Sequence, residues 1–130
     1  MTFDPKPYAE GLKRARQART ERIRQQAEMA LEEARRLAAA IGARDPGVRR
    51  VILFGSLAEG TPRRPHFDID LALDGGDPQA ALELTEAAAF AVDVVDLGRV
   101  PPYVRQRIEG RGTVLFSRAG GQEARETPRL

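Results

Sequence analysis

The apolar run Val51-Ile52-Leu53-Phe54 stops at Gly55-Ser56, and a second run opens with Asp68-Ile69-Asp70 and continues through Leu71-Ala72-Leu73. Four apolar residues in a row, ended by a small-residue turn, describe a buried strand. A glycine-serine turn after such a strand lets the backbone approach a phosphate, and a helix opening there aims its free N–H groups at the anion. In the second run, residues two apart share a face. Asp68 and Asp70 therefore project from one side while Ile69, Leu71 and Leu73 point to the other. Hard cations such as Mg²⁺ take carboxylate oxygens together with substrate phosphates, so the stretch suits a nucleoside triphosphate and a pair of metal ions.

The rest of the chain supplies a frame for that stretch. Residues 8–41 contain no proline and are dense in Ala, Arg, Glu, Gln and Leu, all strong helix formers. Pro5 and Pro7 suit a helix start and Gly42 suits the position just past its end. Ile23, Ala27, Ala30, Ala34, Leu37 and Ile41 recur at spacings of three and four, an amphipathic stripe. The N-terminal third, with Arg14, Arg16, Arg19, Arg22 and Arg24, is much more polar, and the expectation is that it projects or breaks near Thr20. Strand-like runs span Arg50 to Phe54, Asp68 to Leu73, Ala91 to Leu97 and Thr113 to Ser117. Asp77 to Phe90 reads as a helix capped by Asp77 with Pro78 at its first position. Pro101 to Gly110 reads as a shorter helix. The pattern predicts an α/β (α+β) fold: a small mixed sheet of about four strands, helices on one face, and a long N-terminal helix. The expected divisions are a helical extension over 1–47, a core over 48–117 and a flexible tail over 118–130. A core of this size seldom stabilises itself by more than ~3–5 kcal/mol. The Ile23–Ile41 stripe should therefore pack on the sheet or on a second copy of the chain.

Composition narrows the setting. A chain of 130 residues is most simply one domain. It has no cysteine, which excludes disulfides and thiolate metal sites and points to the cytoplasm. No apolar run approaches the roughly 20 residues that a membrane span needs. Residues 1–50 carry 12 Lys/Arg against 7 Asp/Glu, and residues 51–130 carry 9 against 12. The basic half has no interleaved aromatics over Arg14–Arg24, and Glu10 and Glu21 interrupt it. A partner-facing or solvated helix fits it better than a nucleic-acid surface.

Nucleotidyl transfer needs positive charge at the reacting phosphate, and two metal ions bridged by shared carboxylates provide it. A third aspartate would come from a neighbouring strand. Asp93 and Asp96 are the candidates, and since they point to opposite faces, at most one can join Asp68 and Asp70. Arg63 and Arg64, in the intervening loop, are candidates to neutralise a triphosphate, against the plainer reading of a solvated loop. His66 is the single histidine, and a surface role suits it better than a general base. Ser56 lacks the flanking pattern of a nucleophile elbow.

Gly55-Ser56, Asp68-Ile69-Asp70, Val92-Asp93-Val94 and the closing Arg107-Ile108-Glu109-Gly110 before Val114-Leu115-Phe116 together resemble the minimal nucleotidyltransferases (MNT) of the DNA polymerase β-like superfamily. The resemblance covers roughly residues 48–117 and implies a polymerase β-like fold. It also implies that Gly55 and Ser56 hold the triphosphate, that Asp68 and Asp70 bind both Mg²⁺ ions, and that Asp93 completes the metal site. The activity implied is transfer of AMP from ATP to an acceptor hydroxyl, with a HEPN-domain RNase toxin as protein partner and this chain as its antitoxin. Two departures touch the nucleotide side. Glu59 stands where family members often carry a basic residue, and Phe67 stands where a small polar residue is common. The alternatives are a non-catalytic antitoxin acting by steric occlusion and a small-molecule nucleotidyltransferase. The second usually needs another domain to form the acceptor pocket. The N-terminal helix offers a route to a homo-oligomer.

Overall fold

The structure is a computed structural model that describes residues 2–60 and 68–118. Its elements run α1 (Lys6–Arg44), β1 (Val48–Phe54), α2 (Ser56–Glu59), β2 (Ile69–Gly75), α3 (Pro78–Leu84), β3 (Val92–Asp96), α4 (Pro102–Arg111) and β4 (Thr113–Ser117). The four strands form one mixed sheet in the order β3-β2-β1-β4. β1 is antiparallel to both β2 and β4, while β2 and β3 are parallel. Parallel neighbours need a crossover, and α3 provides it.

Strand alternation distributes the apolar residues between two cores. Val51, Leu53, Ile69, Leu71 and Leu73 face α1 and α3, where Ala30, Ala34, Leu37, Ala38, Ile41 and Ala81 meet them. Ile52 and Ala72 face the opposite way and pack with Leu97 and with Ile108 of α4. Helices on one face describe α1 and α3, but α4 covers the other. The physical reason lies in β1: a continuous apolar run has no polar side to leave in water, so both of its faces are covered.

α1 is unbroken through Thr20 and extends past Gly42 to Arg44, with Asp45 as C-cap. Gly42 lies in the last turn instead of beyond it, and a glycine is needed there because the Phe116 ring of β4 occupies the space where a Cβ would stand. The Asp45 carboxylate accepts the Gly47 N–H at 2.9 Å and the Asp77 N–H at 2.8 Å, joining the end of α1 to the start of α3. The two halves of α1 differ in burial. All of its buried residues fall between Ala30 and Gly42, whereas most of the first twenty positions are exposed. Arg24 pairs with both Glu21 and Glu28 on that free stretch, the i,i+3 and i,i+4 support an isolated helix can use.

α3 starts as its sequence predicts, with the Asp77 side chain accepting the Gln79 N–H at 3.0 Å. It ends at Leu84, well short of Phe90. The Thr85 hydroxyl donates back to the Leu82 carbonyl at 2.7 Å, and the Ile69 N–H donates to the Ala91 carbonyl at 2.9 Å. Ladder formation at Ala91 requires the chain to leave the helix early, and that tertiary demand overrides the alanine-rich helix propensity. Among the described residues no helix is long and apolar enough to cross a membrane.

The unequal burial of α1 gives a direct test. Leu37 is 1 % exposed and Leu12 is 50 % exposed. Leu37→Ala should cost about 2–5 kcal/mol. Leu12→Ala should stay within about 0.5 kcal/mol of the parent, with both read as shifts of the urea unfolding midpoint.

Candidate active site

Three strands converge where β1 ends. Phe54 pairs across β1 and β2 with Asp70, and Asp70 pairs across β2 and β3 with Asp93. Asp70 therefore lies between an antiparallel and a parallel neighbour, on the same sheet face as Ala72 and α4. Gly55 follows at once with φ of 78° and ψ of −162°, a backbone conformation that residues with a Cβ rarely adopt. A Cβ there would collide with the Asp70 carboxylate oxygen Oδ2. Glycine is needed at this position for two reasons: the turn itself and the closeness of the carboxylate beneath it. Ser56 is exposed and begins α2, a single turn ended by Gly60 in the left-handed conformation.

The carboxylates repel one another. Burial, then the charges of Asp93 and Asp68, then a hydrogen bond with Asp93 push the Asp70 carboxyl up to about 6. Asp70 therefore keeps its proton to higher pH than an isolated aspartate does. Asp74, four residues along the same strand, has the opposite fate. Burial pushes it up, but hydrogen bonds and charge from Arg50 and Arg49 outweigh burial and leave its carboxyl below the usual range. Those bonds are 2.8 and 2.7 Å.

Asp93 is thus the third aspartate that β3 brings to this end of the sheet. Asp96 pairs with Leu73 at the other end and accepts the Gly98 N–H at 2.9 Å, a turn-forming role. Asp68 is exposed and acts on Asp70 through its charge. Among the described residues, no set of three or more His, Cys, Asp or Glu side chains stands close enough to form a preassembled metal cage. The donor chemistry nonetheless fits a hard divalent cation: oxygen ligands only, with two carboxyl groups in contact and no arginine paired to them among the described residues. Arg63, Arg64, His66 and Phe67 lie outside the described residues.

Beside this pair opens a cleft of about 410 Å³. Gly55, Ser56 and Glu59 line one side, and Tyr103, Arg107 and Arg111 line the other. The sequence alone marks no site role for these three α4 residues. The signal was their spacing: positions four apart recur on one side of a helix. Glu59, the departure from a basic residue, faces Arg107 at 3.4 Å and Arg111 at 3.6 Å.

The family model described as "Polymerase beta, Nucleotidyltransferase" matches residues 38–120. The chain belongs to this nucleotidyltransferase family. The matched region contains the last turns of α1, all four strands and every site residue described above. A crystal structure of a toxin–antitoxin with AMP-PNP superposes at a TM-score of 0.52 and 26 % identity, over 67 % of this chain and 73 % of that one. A crystal structure of the toxin–antitoxin MntA-HepT gives 0.51 at 20 % identity, over 68 % and 73 %. A complex of tri-AMPylated Shewanella oneidensis HEPN toxin with MNT antitoxin gives 0.52 at 21 % identity, over the same shares. At these identities the last two establish the shared nucleotidyltransferase fold alone. No curated protein matches the chain.

The raised Asp70 carboxyl has a consequence for stability. The folded chain holds this proton more tightly than the unfolded one, where the carboxyl titrates near 3.8. The stabilisation is full below about pH 4 and is lost as pH rises through about 6, so at neutral pH the ionised Asp70 is a net cost to the metal-free fold. Allowing for solvent screening of a partly buried group, that cost is about 1–2 kcal/mol. Asp70→Asn should raise the melting temperature of the metal-free protein at pH 7.5 and have little effect at pH 4. Added Mg²⁺ or Mn²⁺ should raise the melting temperature of the parent protein above pH 6 but not that of the variant.

Proposed function

We propose that this nucleotidyltransferase is Mg²⁺-dependent and moves AMP from ATP onto a hydroxyl group of a HEPN-type partner protein, acting as its antitoxin. The observation that carries the reading is the contact between Asp70 and Asp93 directly beneath the Gly55 turn. Adjacent like charges are costly in a folded chain, and a protein gains from keeping them where a cation binds. Asp70 and Asp93 would hold the metal ions with Asp68 beside them, and Gly55 and Ser56 would contact the triphosphate. Two bound Mg²⁺ ions would supply the positive charge that favours an ionised acceptor oxygen and stabilises the departing pyrophosphate.

In the reaction, the acceptor hydroxyl oxygen bonds to the α-phosphorus as the bond to the bridging oxygen breaks, pyrophosphate leaves and the hydroxyl proton passes to solvent. The chain's own contribution is to hold the α-phosphate against the carboxylate pair and to let the backbone come close at Gly55. The cleft next to Gly55 and Ser56 has room for part of a nucleotide. Support for a HEPN partner and an adenine nucleotide comes from the similar toxin–antitoxin structures, one of them with AMP-PNP. A protein acceptor also suits the exposed first half of α1, which leaves a long helical surface free.

That free surface also favours a second reading, neutralisation by steric occlusion without chemistry. Labelled ATP, Mg²⁺ and a HEPN-type protein that binds this chain distinguish the two. Transfer of label to that protein, lost by at least a hundredfold in Asp68→Asn/Asp70→Asn, is the expected result. The absence of transfer by the parent protein overturns the reading, and rescue from toxicity by the inactive double variant assigns the effect to occlusion.

A further inference from the structure

α4 presents two arginines to the cleft in a way that packing alone does not explain. The helix is already fixed to the sheet by burial of Ile108 with Val104 packed beside it, and by Arg50, whose guanidinium bridges Asp74 and Glu109 at 2.8 Å each. Arg105 completes that side by pairing with Glu109 at 3.3 Å. Arg107 and Arg111 lie on the other flank, facing Gly55 and Ser56 across the cleft. Their contacts with Glu59 are long, 3.4 and 3.6 Å, and both go to the same carboxylate oxygen. The arginine side chains are 61 % and 62 % exposed, while Glu59 is 24 % exposed. A guanidinium has five N–H donors in a planar fork, so each arginine keeps most of its donors directed to solvent and to the cleft.

From this arrangement we propose that Arg107 and Arg111 form the binding site for the terminal phosphates of the donor nucleotide, and that the Glu59 carboxylate occupies them until a triphosphate arrives. The proposal deepens the nucleotidyltransferase reading above and rests on it. One carboxylate held by single long contacts is a weak partner for two arginines. A terminal phosphate offers three oxygens and close to two negative charges, and it takes arginine in the bidentate geometry that Glu59 does not achieve here. The trio carries a net charge of +1, so Glu59 lowers the affinity of the cleft for anions without cancelling it. The charge order is inverted relative to a basic residue on α2: the positive charge comes from α4, and α2 supplies the competitor.

The test uses the full chain with Mg²⁺ and calorimetric titration of two probes: α,β-methylene ATP, whose α–β linkage resists transfer, and AMP, which lacks the terminal phosphates. Arg107→Gln/Arg111→Gln should weaken the triphosphate roughly tenfold or more and leave AMP within about twofold. Glu59→Gln should tighten the triphosphate by roughly threefold, again without moving AMP. Parallel losses for both probes would mean that the arginines only hold the fold, and would overturn the proposal. So would unchanged triphosphate affinity in the arginine double variant, or weaker triphosphate binding in Glu59→Gln. If the parent protein binds no α,β-methylene ATP, the nucleotidyltransferase reading fails and the proposal fails with it. If the parent binds and the arginine variant binds equally well, the proposal alone fails.

Discussion

The register of β2 is the constraint on which the candidate site depends. That strand is antiparallel to β1 on one side and parallel to β3 on the other, and both ladders meet at Asp70. A slip of one residue would turn Ile69, Leu71 and Leu73 out of the core and Asp70 into it, so hydrophobic burial locks the position of the carboxylate. The parallel ladder then sets Asp93 beside Asp70 whatever their charges. Repulsion between them is a consequence of the fold, and burial of the larger core more than offsets it.

Asp70 and Asp74 show how local partners decide what a carboxylate is for. They share a strand and a face, and both are partly buried. Arg49 and Arg50 neutralise Asp74, which becomes part of the tie between β1, β2 and α4. The charged groups that act on Asp70 are carboxylates alone among the described residues, and it keeps its proton to higher pH. A group whose charge is disfavoured and left uncompensated suits cation binding. The same contrast recurs on α4, where Glu109 joins the structural network and the other flank faces the cleft.

Much of this was legible before any tertiary information. Asp68-Ile69-Asp70 declared its two faces through simple alternation, and Asp77-Pro78 marked the start of α3. Other features were not legible because they depend on partners far along the chain. Gly42 reads as a helix terminator until Phe116 is seen against it. The run after Leu84 reads as helix until the Ala91 carbonyl is required by Ile69. The coverage of the second sheet face by α4 follows from Ile52, whose place in an unbroken apolar run hides which side it takes. Tyr103, Arg107 and Arg111 carried a visible spacing, but spacing alone does not say which flank of a helix meets a cleft.

By itself, then, the sequence determined the element types, the facing of the two aspartates and the turn that carries Gly55, because each is a local consequence of period, propensity and backbone freedom. The tertiary structure decided that Asp93, not Asp96, stands beside Asp70, that the Asp70 carboxyl is pushed up, and that Glu59 meets Arg107 and Arg111. Those depend on strand register and on how α4 crosses the sheet, and pairings between residues that distant are set only when the two cores close.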